Sequence, residues 1–174
     1  MDEVISVAKN IELVVFDVDG VLTDGRIVYD SQGNDYKFFN VQDGLGISLL
    51  RRCGIQVMFM SAKSSKVIKR RAMDCRVELV LEDISDKKKT LLEIGREMQL
   101  GLDRICFVGD DLVDLGAMKI CGLPVAVANA APEVKAVAKY VTKQKGGCGA
   151  VREICEIILK AKGYWEKLLK AFSD

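Results

Sequence analysis

The stretch FDVDGVLTDG (16–25) sets Asp17 and Asp19 at the end of the apolar run ELVVF. Isolated carboxylates against a hydrophobic strand end carry a heavy desolvation cost unless they are paired, hydrogen-bonded or bound to a cation. In an extended backbone the i, i+2 spacing puts both side chains on one side, facing one ligand, and Gly20 lets the chain turn immediately afterwards. A second acidic group, GDDLVD, follows the later apolar run RICFV and supplies Asp110, Asp111 and Asp114. If the two runs are neighbouring parallel strands, the groups meet at one sheet edge and their repulsion calls for a cation between them. The chain has no histidine, so the donors are all oxygen, which suits Mg²⁺ and disfavours zinc.

Two further residues complete a site for a phosphoryl group. Ser61 follows IQVMFM and opens SAKSS, where its hydroxyl and the backbone N–H groups of the next helix start are suited to an anion. Lys87, in ISDKKKT, stands at another helix start and supplies a fixed positive charge. Catalysis of phosphoryl transfer is mostly positioning and charge stabilisation, which a magnesium ion, a lysine and helix-start donors provide together. A carboxylate serves as nucleophile through an aspartyl-phosphate. Without histidine, that route needs a second carboxylate for the leaving-group proton, and the Asp17/Asp19 pair has one to spare. Each residue alone has a plainer reading: strand-end aspartates cap and turn, Ser61 caps a helix, and one lysine of DKKK is solvated surface. The order Asp/Asp, Ser, Lys, Asp/Asp along successive strand ends is what points to chemistry.

The elements that would position these residues are legible as an alternation. ELVVF (12–16), IQVMFM (55–60), VELVL (77–81), RICFV (104–108) and LPVAVA (123–128) are continuous apolar runs, the pattern of strands buried on both faces. Between them, DGLGISLLRRCG starts at a potential cap, Asp43, and ends at Gly54. SSKVIKRRAM, SDKKKTLLEIGREMQL, DDLVDLGAMKICG and APEVKAVAK read as further helices or helical turns. Alternating strands and helices predict an α/β fold with a mainly parallel sheet covered on both faces. One insert departs from it: RIVYDSQGNDYKFF (26–39) has two aromatic-containing runs around SQGND, as in a β-hairpin. Placed directly after the first strand, it stands near the carboxyl edge of the sheet, where open α/β sheets bind ligands. Its Ile27, Tyr29, Tyr36, Phe38 and Phe39 predict burial against other subunits. The tail from Gly149 to Phe172 carries apolar residues at helical spacing with Gly163 as a break, as in a core-closing helix followed by a surface helix.

Composition excludes several classes. The 174 residues fit one domain, 1–174, and 26 basic against 25 acidic side chains imply neither a nucleic acid partner nor an acidic tail. MDEVISVAKN lacks the basic start and apolar core of a signal peptide, and no apolar run approaches a membrane span, so a cytoplasmic protein with no membrane partner is expected. Six cysteines without a CxxC pair argue against structural zinc and a disulfide framework, and most read as small core residues.

DVDGVLTDG, the Ser after the second strand, the lysine of DK, and GDDLVD resemble the four motifs of the haloacid dehalogenase-like phosphatases. The similarity continues through FFNVQDGLGISLLRRCGI, VGDDLVDLGAMKICGLPVAVANAAPEVKAVAKYVT and GGCGAVREICE, and looks most like the small capless branch acting on 2-keto sugar acid phosphates. That resemblance implies a Rossmann-like parallel sheet flanked by helices, a hairpin insert and no cap domain. It implies Mg²⁺-dependent hydrolysis of 3-deoxy-D-manno-octulosonate 8-phosphate through an aspartyl-phosphate. The alternatives are a nine-carbon sialic-acid-type 9-phosphate as substrate, or a non-catalytic oligomerisation or regulatory domain.

By motif, Asp17 would be the nucleophile, Asp19 the acid and base, Ser61 the holder of a phosphoryl oxygen, and Lys87 the neutralising cation. Asp17, Asp19 and Asp110 would hold the metal, with Asp111 and Asp114 as accompanying acids behind them. Lys63 and Arg152 would contact the substrate. The branch packs its hairpins in a homotetramer in which a neighbouring subunit helps close the site. Ala62-Lys63 stands where octulosonate phosphatases usually have Gly-Arg, and Cys148 stands where the branch commonly has a basic residue. Lysine keeps the charge but lacks the planar fork that grips a carboxylate bidentately.

Overall fold

The computed structural model describes residues 1–173. In chain order the elements are α1 (Asp2–Ala8), β1 (Leu13–Asp17), β2 (Val28–Tyr29), β3 (Asp35–Tyr36), α2 (Val41–Arg52), β4 (Gln56–Met60), α3 (Lys66–Asp74), β5 (Leu79–Leu81) and α4 (Lys87–Glu97). They continue with β6 (Ile105–Gly109), α5 (Leu115–Met118), β7 (Leu123–Ala126), α6 (Pro132–Val137), β8 (Tyr140–Val141), α7 (Ala150–Ala161) and α8 (Trp165–Ser173). Six strands form one parallel sheet in the order β5-β4-β1-β6-β7-β8. This is the Rossmann-like α/β arrangement expected, with helices α1, α2 and α7 packed side by side and α4, α5 and α6 forming a second group.

The apolar runs became strands because each can bury both faces. Every residue of β1, β6 and β7 is buried, and Phe16, Phe59 and Phe107 are among the largest fully buried side chains. Each such phenylalanine contributes about 1.5–3 kcal/mol by leaving water. The chain steps outward from β1 through β4 to β5, then crosses back to β6 on the other flank of β1. That reversal puts the topological switch point between β1 and β6, where a crevice opens at their carboxyl ends.

Several details differ from the sequence-based expectation. β5 is half-buried rather than buried on both sides, because it is an edge strand. The two-residue β8 extends the other edge and α1 precedes β1; neither gave a pattern long enough to register. The cap of α2 is Asn40, whose side chain accepts from the Gln42 N–H at 2.7 Å. Asp43 is instead fully buried and accepts from the backbone N–H of Arg152 at 2.8 Å, so it joins α2 to the first turn of α7. In the tail, α7 buries Val151, Ile154, Cys155, Ile158 and Leu159, Gly163 takes a φ of 74°, and α8 lies on the surface.

The insert is a hairpin, with Val28 opposite Tyr36 and Tyr29 opposite Asp35. Its turn is organised by Asp30, whose carboxylate accepts from the backbone N–H groups of Gln32 and Asn34, each at 2.9 Å. Ile27, Tyr29, Tyr36 and Phe38 are exposed in the single chain, whereas Phe39 packs against the core beneath the Arg71 guanidinium.

Candidate active site

Four loops meet at the switch point. Asp17 ends β1, and the chain then winds into a wide turn over Val18–Leu22 that carries Asp19. Ser61 follows β4, Lys87 opens α4 beyond β5, and Asp110 follows β6. Gly20 holds a φ of 98° in that turn, and a Cβ there would overlap the Asp110 carboxylate, so only glycine lets the β1 and β6 loops approach. Gly109 is constrained similarly, since a Cβ would run into Asp114. The loops enclose a cleft of about 300 Å³ lined by Asp17, Asp19, Ser61, Lys63, Lys87, Asp110 and Asp111, among others.

Lys87 is the electrostatic centre. Its Nζ lies 2.5 Å from Asp17 Oδ1 and 2.6 Å from Asp114 Oδ1, and its side chain is 2 % exposed. Burial alone would depress its proton affinity, but the two carboxylates outweigh that and raise it, so Lys87 is held as an ammonium. Burial raises Asp17 to about 7, with Lys87 opposing the rise and Asp114 adding to it. Burial likewise raises Asp110 to about 8, reinforced by the charges of Asp17, Asp114 and Asp111.

Asp17, Asp110 and Asp114 bring ligating oxygens within 4.8 Å of one another. The roles of the three differ. Asp114 has both oxygens engaged: Oδ1 by Lys87, and Oδ2 by the backbone N–H groups of Asp110 at 2.9 Å and Asp111 at 3.3 Å. It orients the Asp110 loop. Asp17 and Asp110 remain as under-compensated carboxylates whose mutual repulsion a divalent cation would relieve, and an all-oxygen pair fits Mg²⁺. Asp19 does not join this cluster as a carboxylate ligand. The backbone leaves the extended conformation after Asp17, so the same-side argument for an i, i+2 pair fails, although both residues line the cleft.

The Asp19 carboxylate is instead paired with Lys37 at 2.5 Å, a residue sequence reasoning missed. The available signal was a lysine among the aromatic residues of an insert expected at the sheet's carboxyl edge. Ser61 is buried, and its Oγ accepts from the Lys63 N–H at 3.1 Å; the cap of α3 is Ser65, which accepts from Val67 N–H at 3.1 Å. Asp111 caps the short turn after β6 by accepting from the Leu112 N–H at 2.8 Å. Lys63 lines the cleft. Arg152 does not: its Nε is bonded to Glu156 at 2.8 Å and its guanidinium lies over the Trp165 ring, so it stands outside the cleft.

Residues 54–154 match the family model of the haloacid dehalogenase-like hydrolases. The chain belongs to that family. As a member it is a hydrolase, and its sheet and hairpin carry no inserted cap domain among the described residues. The 3-deoxy-D-manno-octulosonate 8-phosphate phosphatase of Yersinia pestis is 41 % identical over 161 residues, covering 92 % of this chain and 86 % of that one. Its counterpart in Haemophilus influenzae is 39 % identical over 155 residues, 89 % of this chain and 86 % of that one. The crystal structure of the Moraxella catarrhalis phosphatase of the same name, in complex with magnesium, phosphate and KDO, superposes with a TM-score of 0.97. It shares 38 % identity, and the match covers 99 % of both chains.

Proposed function

We propose that this hydrolase releases phosphate from a 2-keto sugar acid phosphate, 3-deoxy-D-manno-octulosonate 8-phosphate, through an aspartyl-phosphate on Asp17. The observation that carries the reading is the buried Asp17–Lys87–Asp114 chain beside Asp110, in a cleft that also holds Asp19 and Ser61. Asp17 and Asp110 would hold a Mg²⁺ ion, which would supply charge neutralisation for the phosphoryl oxygens. Lys87 fixes the orientation of Asp17 and adds a second positive charge. Asp17 Oδ attacks phosphorus in line with the departing sugar oxygen. Asp19 gives that oxygen its proton, then takes one from the water that hydrolyses the aspartyl-phosphate. Ser61 and the backbone N–H groups around it hold a phosphoryl oxygen. Asp111 and Asp114 keep the β6 loop in place.

Lys63 meets the carboxylate end of the sugar acid. Arg152 belongs to this reading only as a contact offered to a neighbouring subunit. The exposed Ile27, Tyr29, Tyr36 and Phe38 support a homotetramer packed through the hairpins, which would exclude water from a site that has no cap. No helix among the described residues is long and apolar enough to cross a membrane, in keeping with a cytoplasmic enzyme.

The test compares kcat/KM for 3-deoxy-D-manno-octulosonate 8-phosphate and for glucose 6-phosphate, in wild type and Lys63→Ala, with Mg²⁺ present. Wild type should prefer the sugar acid, and Lys63→Ala should lose roughly tenfold on it while losing little on the neutral sugar, as expected for one charge-assisted contact. No preference in wild type, or equal losses in the variant, would overturn the substrate assignment.

A further inference from the structure

We propose that Lys37, carried by the hairpin, is the positioning residue that orients Asp19 for proton transfer to the leaving group. This deepens the phosphatase reading and rests on it. Lys37 is not a solvated surface lysine. Its side chain is 7 % exposed and its Nζ lies 2.5 Å from Asp19 Oδ1. An ammonium withdrawn from water to that degree is costly unless it is paired, and Asp19 is its partner. Among the described residues no other hydrogen bond reaches the Asp19 carboxylate, so Oδ2 has no protein partner and is left for the substrate. With Oδ1 fixed by the ammonium, Oδ2 is the oxygen that carries the proton Asp19 hands to the departing sugar oxygen and recovers from the hydrolytic water, and a displacement near 1 Å at such a group costs about a hundredfold in rate.

The hairpin is itself anchored, so Lys37 is a fixed point. Two residues before it, Asp35 accepts from Ser65 Oγ at 2.7 Å, and Ser65 caps α3 directly beyond the loop of Ser61 and Lys63. The segment from Asp35 to Lys37, β3 and the residue after it, therefore ties the Asp19 turn to the loop that follows β4. Lys37 also lines, with Tyr29, Tyr36 and Lys63, a second cavity of about 210 Å³ that shares Ile27 and Lys63 with the main cleft. A substrate long enough to enter that cavity would lie against the same segment that holds Asp19.

The discriminating readout is the basicity of the leaving group. An alkoxide needs a proton as it departs, whereas 4-nitrophenolate does not, and kcat/KM reports the steps up to leaving-group loss. The probes are 3-deoxy-D-manno-octulosonate 8-phosphate, glycerol 3-phosphate and 4-nitrophenyl phosphate. Lys37→Met should lower the ratio of alkyl to aryl kcat/KM by roughly tenfold to a hundredfold. Lys37→Arg, which keeps the cation, should restore most of that ratio. Equal losses on alkyl and aryl phosphates, or no loss on either, would overturn the proposal, because a merely structural lysine moves both together. If wild type hydrolyses glycerol 3-phosphate and 4-nitrophenyl phosphate but not the sugar acid phosphate, the substrate assignment falls and the Lys37 ratio is still decided on the remaining pair. A wild type inactive on all three would overturn the phosphatase reading and this proposal with it.

Discussion

Lys87 and Asp17 stand 70 positions apart in the chain, yet their charged atoms meet at 2.5 Å in a pocket nearly closed to water. The contact joins the start of α4 to the end of β1 and makes one ammonium serve two carboxylates, since Asp114 binds the same Nζ. Such a chain of charges is a poor way to build stability. A well-packed apolar substitute for a buried ion pair is often neutral or better, whereas removing one partner is costly.

Lys87→Met is therefore expected to lose both turnover and stability. It leaves Asp17 and Asp114 buried without their shared cation, at a cost of about 3–5 kcal/mol. Urea unfolding followed by circular dichroism reads the stability, and phosphate release reads the activity. A variant as stable as wild type would show that Lys87 is not what compensates the two carboxylates.

Metal dependence should carry a pH signature. Asp17 and Asp110 are raised from 3.8 to about 7 and about 8. Their contribution to folding is thus fully present below about pH 3.8 and is lost as pH rises through 7 and 8. A divalent cation between them removes that penalty and competes with protons for the same oxygens. The rise in Tm produced by saturating Mg²⁺ should accordingly be larger at pH 8 than at pH 6. An equal or smaller rise at pH 8 in differential scanning fluorimetry would contradict the assignment of Asp17 and Asp110 as the cation's ligands.

Asp43 gives a stability prediction away from the chemistry. Its Oδ1 accepts from the Arg152 N–H, Oδ2 is buried without a partner, and burial raises its proton affinity. Asp43→Ala should cost about 1–3 kcal/mol by orphaning the buried N–H, while Asp43→Asn, which keeps an acceptor and removes the charge, should cost less. Chemical denaturation of the two variants at pH 7.5 makes the comparison; a more damaging asparagine would mean that the ionised carboxylate is what α2 and α7 require.

The strands were legible because β1, β6 and β7 are buried on both faces, so their residues are apolar without interruption. The expected neighbours of Asp17 followed from that, since a parallel sheet carries all its strand ends to one edge. What stayed hidden depended on contacts far apart in sequence. Asp43 looks like a helix cap within its own segment, and only the partner at Arg152, 109 positions on, explains its burial. Lys37 reads as a surface residue of a polar-tipped hairpin until the hairpin folds onto Asp19. Asp19 separates from Asp17 because the backbone turns at Val18, a change that local alternation does not encode. Arg152, chosen by motif, is drawn aside by Glu156 and Trp165, both of which lie further along the tail.

The central claim is that Asp17 is the nucleophile, and Asp17→Asn tests it most directly. The amide is nearly isosteric and Asp114 still pairs with Lys87, so the fold should persist while an aspartyl-phosphate no longer forms. The measurement is phosphate release from 3-deoxy-D-manno-octulosonate 8-phosphate with Mg²⁺, at equal concentrations of folded wild type and variant. The account predicts a rate for Asp17→Asn on the order of a thousandth of wild type or less. A variant that keeps more than a few per cent of the wild-type rate would contradict it.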